Sequence, residues 1–227
     1  GAVAPGPVPP DGVVGRSAPR LDIPDKVRGR PRFIHDLALP GMLYGRVARP
    51  PSPAARLLEV DLAAVNALPG VVATVRDGRF LGVIADSEYA AVKALKKLTS
   101  VANWSEHASL PDRHDLPAFL RSAAHETQLY AEKQAESPAT SVAQSFSASY
   151  SRPYLAHASI GPSCALARYS ADALEVWTHS QGIYNLRTDL AKVLALPPDS
   201  ISVQHVEGAG CYGHNGADDA ACDAALL

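Results

Sequence analysis

The sequence predicts an α+β fold, a mixed α/β chain built as two domains, and three observations carry that expectation. Short β-rich runs alternate with segments of helical period in two separate regions. A polar stretch rich in Ala, Glu, Gln and Ser lies between those regions, from about 107 to 145. The length of 227 residues also suits two small domains better than one large one. With 47% hydrophobic and 19% charged residues, both regions can bury a core.

Residues 1–20 hold Pro5, Pro7, Pro9, Pro10 and Pro19 among several glycines. Proline fixes φ and lacks an N–H, so this segment is expected to be an extended N-terminal arm. The first domain is expected over 21–106. Phe33-Ile34 and Leu43 to Val47 are expected strands around the turn Pro40-Gly41, followed by Leu57 to Val60. Leu62 to Leu68 has helical spacing and stops at Pro69-Gly70. Val71 to Val75 and Phe80 to Ala85 flank Asp77-Gly78, a hairpin signal because glycine adopts positive φ at no steric cost. Ser87 is the expected N-cap of a helix whose apolar set is Ala90, Ala91, Ala94, Leu95 and Leu98, and Thr99 to Trp104 is expected to follow as a strand.

Within the linker, 107–145, Leu116 to Glu126 is the one expected helix. The second domain is expected over 146–227. Phe146 to Tyr150, Ala165 to Tyr169 and Ala173 to Thr178 have strand patterns. A helix is expected from Gln181 to Leu196, ended by Pro197-Pro198. Ile201 to Val206 is the last expected strand. It runs into a glycine-rich segment, Glu207 to Gly216, and Ala217 to Leu227 is expected to be helical. The absence of a stop signal in that helix suggests a piece of a longer chain.

The net charge of −2 and the lack of a basic cluster interleaved with aromatic residues argue against a nucleic-acid partner. Cys164, Cys211 and Cys222 form no C-x-x-C pair and no disulfide framework. No apolar run approaches the roughly 20 residues of a membrane helix. These features leave the location open between the cytoplasm, the face of a bacterial inner membrane and, for a chain with unpaired cysteines, the periplasm.

The glycine turn at 208–216 is the most informative motif. Glycines between a strand and a helix leave bare backbone N–H groups that can cradle an anion such as a phosphate or a pterin pyrophosphate. A tight structural turn is the competing explanation. The spacing fits neither the dinucleotide fingerprint nor the P-loop, which has a Gly-Lys-Ser/Thr. Asp218 and Asp219 suit helix capping better than acid/base work. His157 and His214 have suggestive neighbours, but no pair has zinc-ligand spacing, and no metal ligand is assigned. Cys211 is either a small buried hydrophobe or a thiol activated by a helix N-terminus.

Several motifs occur in fixed order: Asp22 to Gly29, Phe33, Asp36, Leu39 to Tyr44, Arg49-Pro50-Pro51, Asp61, Leu68 to Val71 and Val83-Ile84-Ala85. The series resembles the opening of the a/b hammerhead domain of the aldehyde oxidase and xanthine dehydrogenase family. The second half resembles the beginning of that family's molybdopterin-binding domain. Trp177-Thr178-His179-Ser180-Gln181 stands where the family has a Thr-Gln segment, and Gly210 to Asn215 stands where it has Gly-Gly-Phe-Gly-Gly-Lys. Three departures are Gly161 for the usual Glu before proline, Tyr212 for Phe and Asn215 for Lys. Together they resemble the isoquinoline oxidoreductase and nicotinate dehydrogenase branch.

That resemblance implies a fragment of a molybdenum hydroxylase large subunit. The activity implied is oxidation of an aromatic N-heterocycle or an aldehyde, with water as oxygen source. The implied cofactor is molybdenum on molybdopterin cytosine dinucleotide, and electrons leave through a small [2Fe-2S] partner subunit, with a cytochrome c as a candidate acceptor. Carried over, Gln181 is the catalytic and cofactor-binding residue beside the metal's oxo ligand. Gly210, Cys211, Tyr212, Gly213 and His214 are cofactor-binding. The family's catalytic glutamate lies beyond these residues, so the fragment alone is expected to be inactive. The rival expectations are a non-catalytic assembly module and, less well supported, a nucleotide-binding protein.

Overall fold

The computed structural model describes residues 6, 12–133, 144–170, 172–213 and 219–227. They form two compact units, one from the N-terminus to Gly45 together with Ser159–Leu227, the other Arg46–Ala158. The first unit is discontinuous along the chain. The segment 21–45, grouped in sequence with residues 46–106, counts with the C-terminal residues.

Strand β1 (Tyr44–Ala48), which enters the unit Arg46–Ala158 at Arg46, forms a sheet with β3 (Val71–Asp77) and β4 (Phe80–Ala85) in the order β1-β4-β3. Strands β3 and β4 are antiparallel with Asp77 opposite Phe80, so Gly78-Arg79 is a two-residue turn, and Gly78 has φ of 54°. That meets the expectation from the Asp-Gly signal. Strand β2 (Arg56–Val60) pairs antiparallel with β5 (Ala102–Ser105). Helix α2 (Leu62–Asn66) starts at Asp61, whose carboxylate accepts the Ala64 N–H. Helix α3 (Glu88–Val101) starts at Ser87, whose hydroxyl accepts the Ala90 N–H. Val65, Leu81, Val83, Ala94 and Leu98 are fully buried and form the core. Burial of each larger side chain contributes roughly 1.5–3 kcal/mol.

In the other unit, β6 (Ala165–Ser170), β7 (Ala173–Thr178) and β8 (Ile201–His205) lie in the order β6-β7-β8. Strand β7 is antiparallel to β6 and parallel to β8. A parallel pair needs a crossover, supplied by α5 (Ile183–Leu194). Ala195 closes that helix in the left-handed conformation, φ 53°, and the Leu196 N–H returns to the Ala191 carbonyl. Helix α6 (Asp219–Leu226) packs on β6 and β7. Leu174, Val176, Leu190, Ala191, Ile201 and Ala221 make the core.

Four expectations need correction. Phe33-Ile34 is not a strand. Ile34–Asp36 is a turn of 3-10 helix, because the Asp36 carboxylate accepts the N–H groups of Arg32 and Phe33 at 3.1 and 3.0 Å. Thr99 to Val101 belong to α3 rather than to a strand, since Leu98 and Val101 both pack into the core and outweigh β-branched preference. The expected helix beyond Ser122 is shorter: α4 spans Leu116–Ser122, with Leu116 its one buried residue. Phe146 to Tyr150 is not a strand, and both aromatic side chains are solvent-exposed. Alternation forms a strand only where a neighbouring edge accepts its hydrogen bonds. The described part of 1–20 holds no helix or strand, and the rest of that arm lies outside the described residues. A further short helix, α1 (Ile23–Val27), has Pro24 in its first turn.

Candidate functional site

The carboxyl ends of two adjacent parallel strands open on one side of a sheet, and the loops that leave them meet there. Here those loops are 179–182, after β7, and 206–213, after β8. The Val206 N–H donates to the Thr178 carbonyl at 2.8 Å, which extends the β7–β8 ladder to the mouth of both loops.

The first loop is polar yet buried. Thr178, His179 and Ser180 are almost completely excluded from solvent. Thr178 and Ser180 are satisfied locally: the Ser180 N–H donates to the Thr178 hydroxyl at 3.3 Å, and the Ser180 hydroxyl accepts the Gly182 N–H at 3.2 Å. This arrangement lifts Gln181 out to an exposed position immediately before α5.

The second loop is shaped by its glycines. A side chain at Gly208 would overlap the His179 ring. Gly210 has φ of 101°, and a Cβ there would lie 2.7 Å from the Tyr212 ring. Tyr212 is itself left-handed, φ 51°, and Gly213 has φ of 156°. The Ser159 hydroxyl donates to the Gly210 carbonyl at 3.0 Å, and Gly161 abuts Ala209. Among the described residues, no backbone N–H of 208–213 donates to a backbone carbonyl. A turn of this kind offers several amide donors to an anionic or heteroaromatic ligand.

Of the expected site residues, Gln181, Gly210, Cys211, Tyr212 and Gly213 gather around this opening. The Cys211 thiol donates to Gln181 Oε1 at 3.1 Å. Cys211 is half-buried. His214, Asn215 and Asp218 lie outside the described residues. His157 is exposed in an irregular segment of the other unit.

Sequence reasoning missed the braces behind the turn. The Lys26 ammonium forms ion pairs with Asp22 at 2.8 Å and with Glu207, and it lies 5.4 Å from the centre of the Phe33 ring. The Ile34 N–H donates to the Glu207 carbonyl at 2.7 Å, and His35 Nε2 is 2.8 Å from the Pro162 carbonyl. Hydrogen bonds from Arg20 and then Lys26 hold the Asp22 carboxyl well below the usual carboxylate range. Asp22 and then Glu207 raise Lys26. The partners that tie the N-terminal segment to the turn are more than a hundred residues apart, so no local pattern announces them. The usable signal was the run of three polar residues closing an apolar strand, Thr178-His179-Ser180.

Residues 122–226 match the family model of the molybdopterin cofactor-binding domain. The chain is 41% identical over 225 residues to a nicotinate dehydrogenase subunit of Pseudomonas putida, covering 95% of this chain and 19% of that protein. It is 25% identical over 237 residues to the beta subunit of isoquinoline 1-oxidoreductase of Brevundimonas diminuta, covering 95% of this chain and 29% of that protein. Its fold matches quinoline 2-oxidoreductase from Pseudomonas putida 86 with a TM-score of 0.65 at 22% identity, over 86% of this chain and 30% of that one. The chain thus spans under a third of the length of these relatives. Among the described residues, no helix is long and apolar enough to cross a membrane.

Proposed function

Because this chain belongs to the xanthine dehydrogenase/aldehyde oxidase family, as a piece of its molybdopterin-binding subunit, we propose that Gln181 and the turn 208–213 hold the molybdopterin cofactor at the carboxyl ends of β7 and β8. The observation that carries this reading is the meeting of Gln181 with a glycine turn whose amides donate to no backbone carbonyl among the described residues. The residues present fit the group. The turn lies where added side chains would collide with the protein, and a primary amide stands at its edge.

When bound, the cofactor supplies two-electron oxidation chemistry at its metal. The chain's own contribution is binding and orientation. Amides of 208–213 donate to oxygen or sulfur acceptors from positions fixed beforehand, the form of stabilisation that costs no reorganisation. The Gln181 carboxamide has both a donor and an acceptor. Its Oε1 accepts the Cys211 thiol, which ties the carboxamide to the turn. His214 completes the set of residues assigned to the cofactor.

In the whole protein we assign oxidation of an aromatic N-heterocycle, with an aldehyde as the second substrate class and water as the oxygen source. The cofactor form assigned is molybdopterin cytosine dinucleotide. Electrons pass to a small [2Fe-2S] subunit and on to a cytochrome c. The similarity to a nicotinate dehydrogenase subunit supports the heterocycle first. We also assign the a/b hammerhead fold to 21–106 and the start of the cofactor-binding domain to 146–227, with 1–20 an arm and 107–145 a linker.

Metal and pterin analysis of the whole protein, purified from its own host with its co-purifying subunits, tests the proposal. About one molybdenum per chain, with iron in a small companion, is the expected result. A folded, monodisperse protein with neither metal would replace it by the assembly-module reading.

A further inference from the structure

The imidazole behind the glycine turn has a position that space-filling alone does not require. His179 is 5% exposed at the carboxyl end of β7. Its Nε2 accepts the Cys164 N–H at 3.3 Å, across the entrance to β6. A ring nitrogen that accepts carries no proton, so in the neutral ring the proton sits on Nδ1. The other side of the ring is set against Gly208. A methyl group added at Gly208 would overlap Cβ, Cγ and Nδ1 of the histidine. The ring therefore touches both the start of β6 and the start of the turn.

We propose that His179 is a positioning residue for the cofactor turn: anchored by the Cys164 N–H, its ring sets how closely 208–213 passes Gln181, and glycine at 208 permits that approach. The inference rests on the reading that the turn and Gln181 hold molybdopterin. His179 lies two residues before Gln181, and Gly208 lies three residues before Cys211. A shift of the ring is thus carried to both partners of the Cys211–Gln181 contact. A histidine serving only to fill the core would be replaced well by another aromatic ring. A positioning histidine needs its acceptor nitrogen as well.

The whole protein and four variants separate these roles by two readouts: amide exchange over 159–165 and 206–213, and pterin and molybdenum per chain. His179→Gln keeps an acceptor at similar reach and is expected to retain both properties. His179→Phe keeps a ring but loses the acceptor. Its Cys164 amide is expected to exchange roughly tenfold faster, as loss of one ordinary hydrogen bond implies, and its cofactor content to be substoichiometric. Gly208→Ala is expected to be underloaded as well. Adding His179→Ala to Gly208→Ala removes the ring that the methyl strikes and is expected to restore part of the loading. Wild-type exchange and loading in His179→Phe would overturn the proposal, as would a double variant worse than Gly208→Ala. If His179→Phe does not fold, the comparison of Gly208→Ala with the double variant decides. Wild-type protein lacking cofactor would defeat the molybdopterin reading, while the exchange rates would still decide the part assigned to His179.

Discussion

The Cys211 thiol and the Gln181 carboxamide oxygen are 3.1 Å apart, although the two residues lie thirty positions apart in the chain. The contact ties the loop after β7 to the loop after β8. It also fixes the amide's orientation, since an oxygen that accepts from the thiol leaves the NH₂ pointing elsewhere. Gln181→Ala in the loaded whole protein is expected to lower turnover by about 10²-fold, the scale for losing one preorganised donor. Its stability is expected to change by less than about 0.5 kcal/mol, because the side chain is exposed. Steady-state kinetics beside thermal unfolding measure both. Unchanged turnover in a fully loaded variant would remove Gln181 from the site. Cys211→Ser keeps a donor and is expected to stay within a few-fold of wild type.

Gly210 combines two constraints. Its φ of 101° strains any L residue, and the Tyr212 ring occupies the space where a Cβ would sit. Gly210→Val is expected to cost about 1–2 kcal/mol locally from the backbone alone and to displace the turn. The expected result is a folded protein with little cofactor, measured by pterin content and circular dichroism. Full loading with wild-type turnover would mean that the turn is only structural.

Much of this site was legible because its signals are local. The strand β7, the crossover helix and the strand β8 each have their own periodicity, and Gly208, Gly210 and Gly213 mark the turn at the end of β8. The hairpin at Gly78 was legible for the same reason. What stayed hidden depends on partners distant in sequence. Ile34 reads as a strand residue until the Glu207 carbonyl and the Asp36 carboxylate take its neighbourhood's N–H groups. Phe146 to Tyr150 alternates like a strand, yet it finds no edge among the described residues. The reverse holds for Thr99 to Val101, which include β-branched residues but continue α3, with Val101 packed against the core near Leu98 while Thr99 and Ser100 stay exposed. Nothing in the residues of 21–45 announces the bonds to Glu207 and Pro162.

Leu98 is fully buried on α3 and packs among Val65, Leu81 and Val83. Leu98→Ala is expected to destabilise by about 2–5 kcal/mol, as a cavity in a close-packed core does. The unit that holds Ser159–Leu227 has its own core around Val176 and Leu190. Amide exchange is therefore expected to rise in α2, α3 and β4 and to stay unchanged in β7 and α5. A uniform rise across all five elements would show that the two cores unfold as one.

The charged brace around Lys26 predicts a stability window in pH. Hydrogen bonds from Arg20 and then Lys26 depress Asp22, so its contribution is present above the unfolded carboxylate range, about 3.9, and is lost as pH falls through the lower native value. Lys26 is raised, first by Asp22 and then by Glu207. Its contribution is present below the unfolded lysine value, about 10.4, and is lost as pH rises through the higher native one. Between these limits the brace is expected to be constant with pH. Asp22→Asn removes the acid-side dependence without removing bulk, so its unfolding midpoint is expected to fall less steeply than that of the wild type below about pH 4. Lys26→Met is expected to flatten the alkaline side while keeping the chain's packing against Phe33. Both residues are near the surface, and the effect is therefore expected to shrink in high salt. Acid and alkaline unfolding curves at low and high ionic strength measure all of this. Parallel curves for wild type and Asp22→Asn would show that Asp22 titrates alike in the folded and unfolded chains.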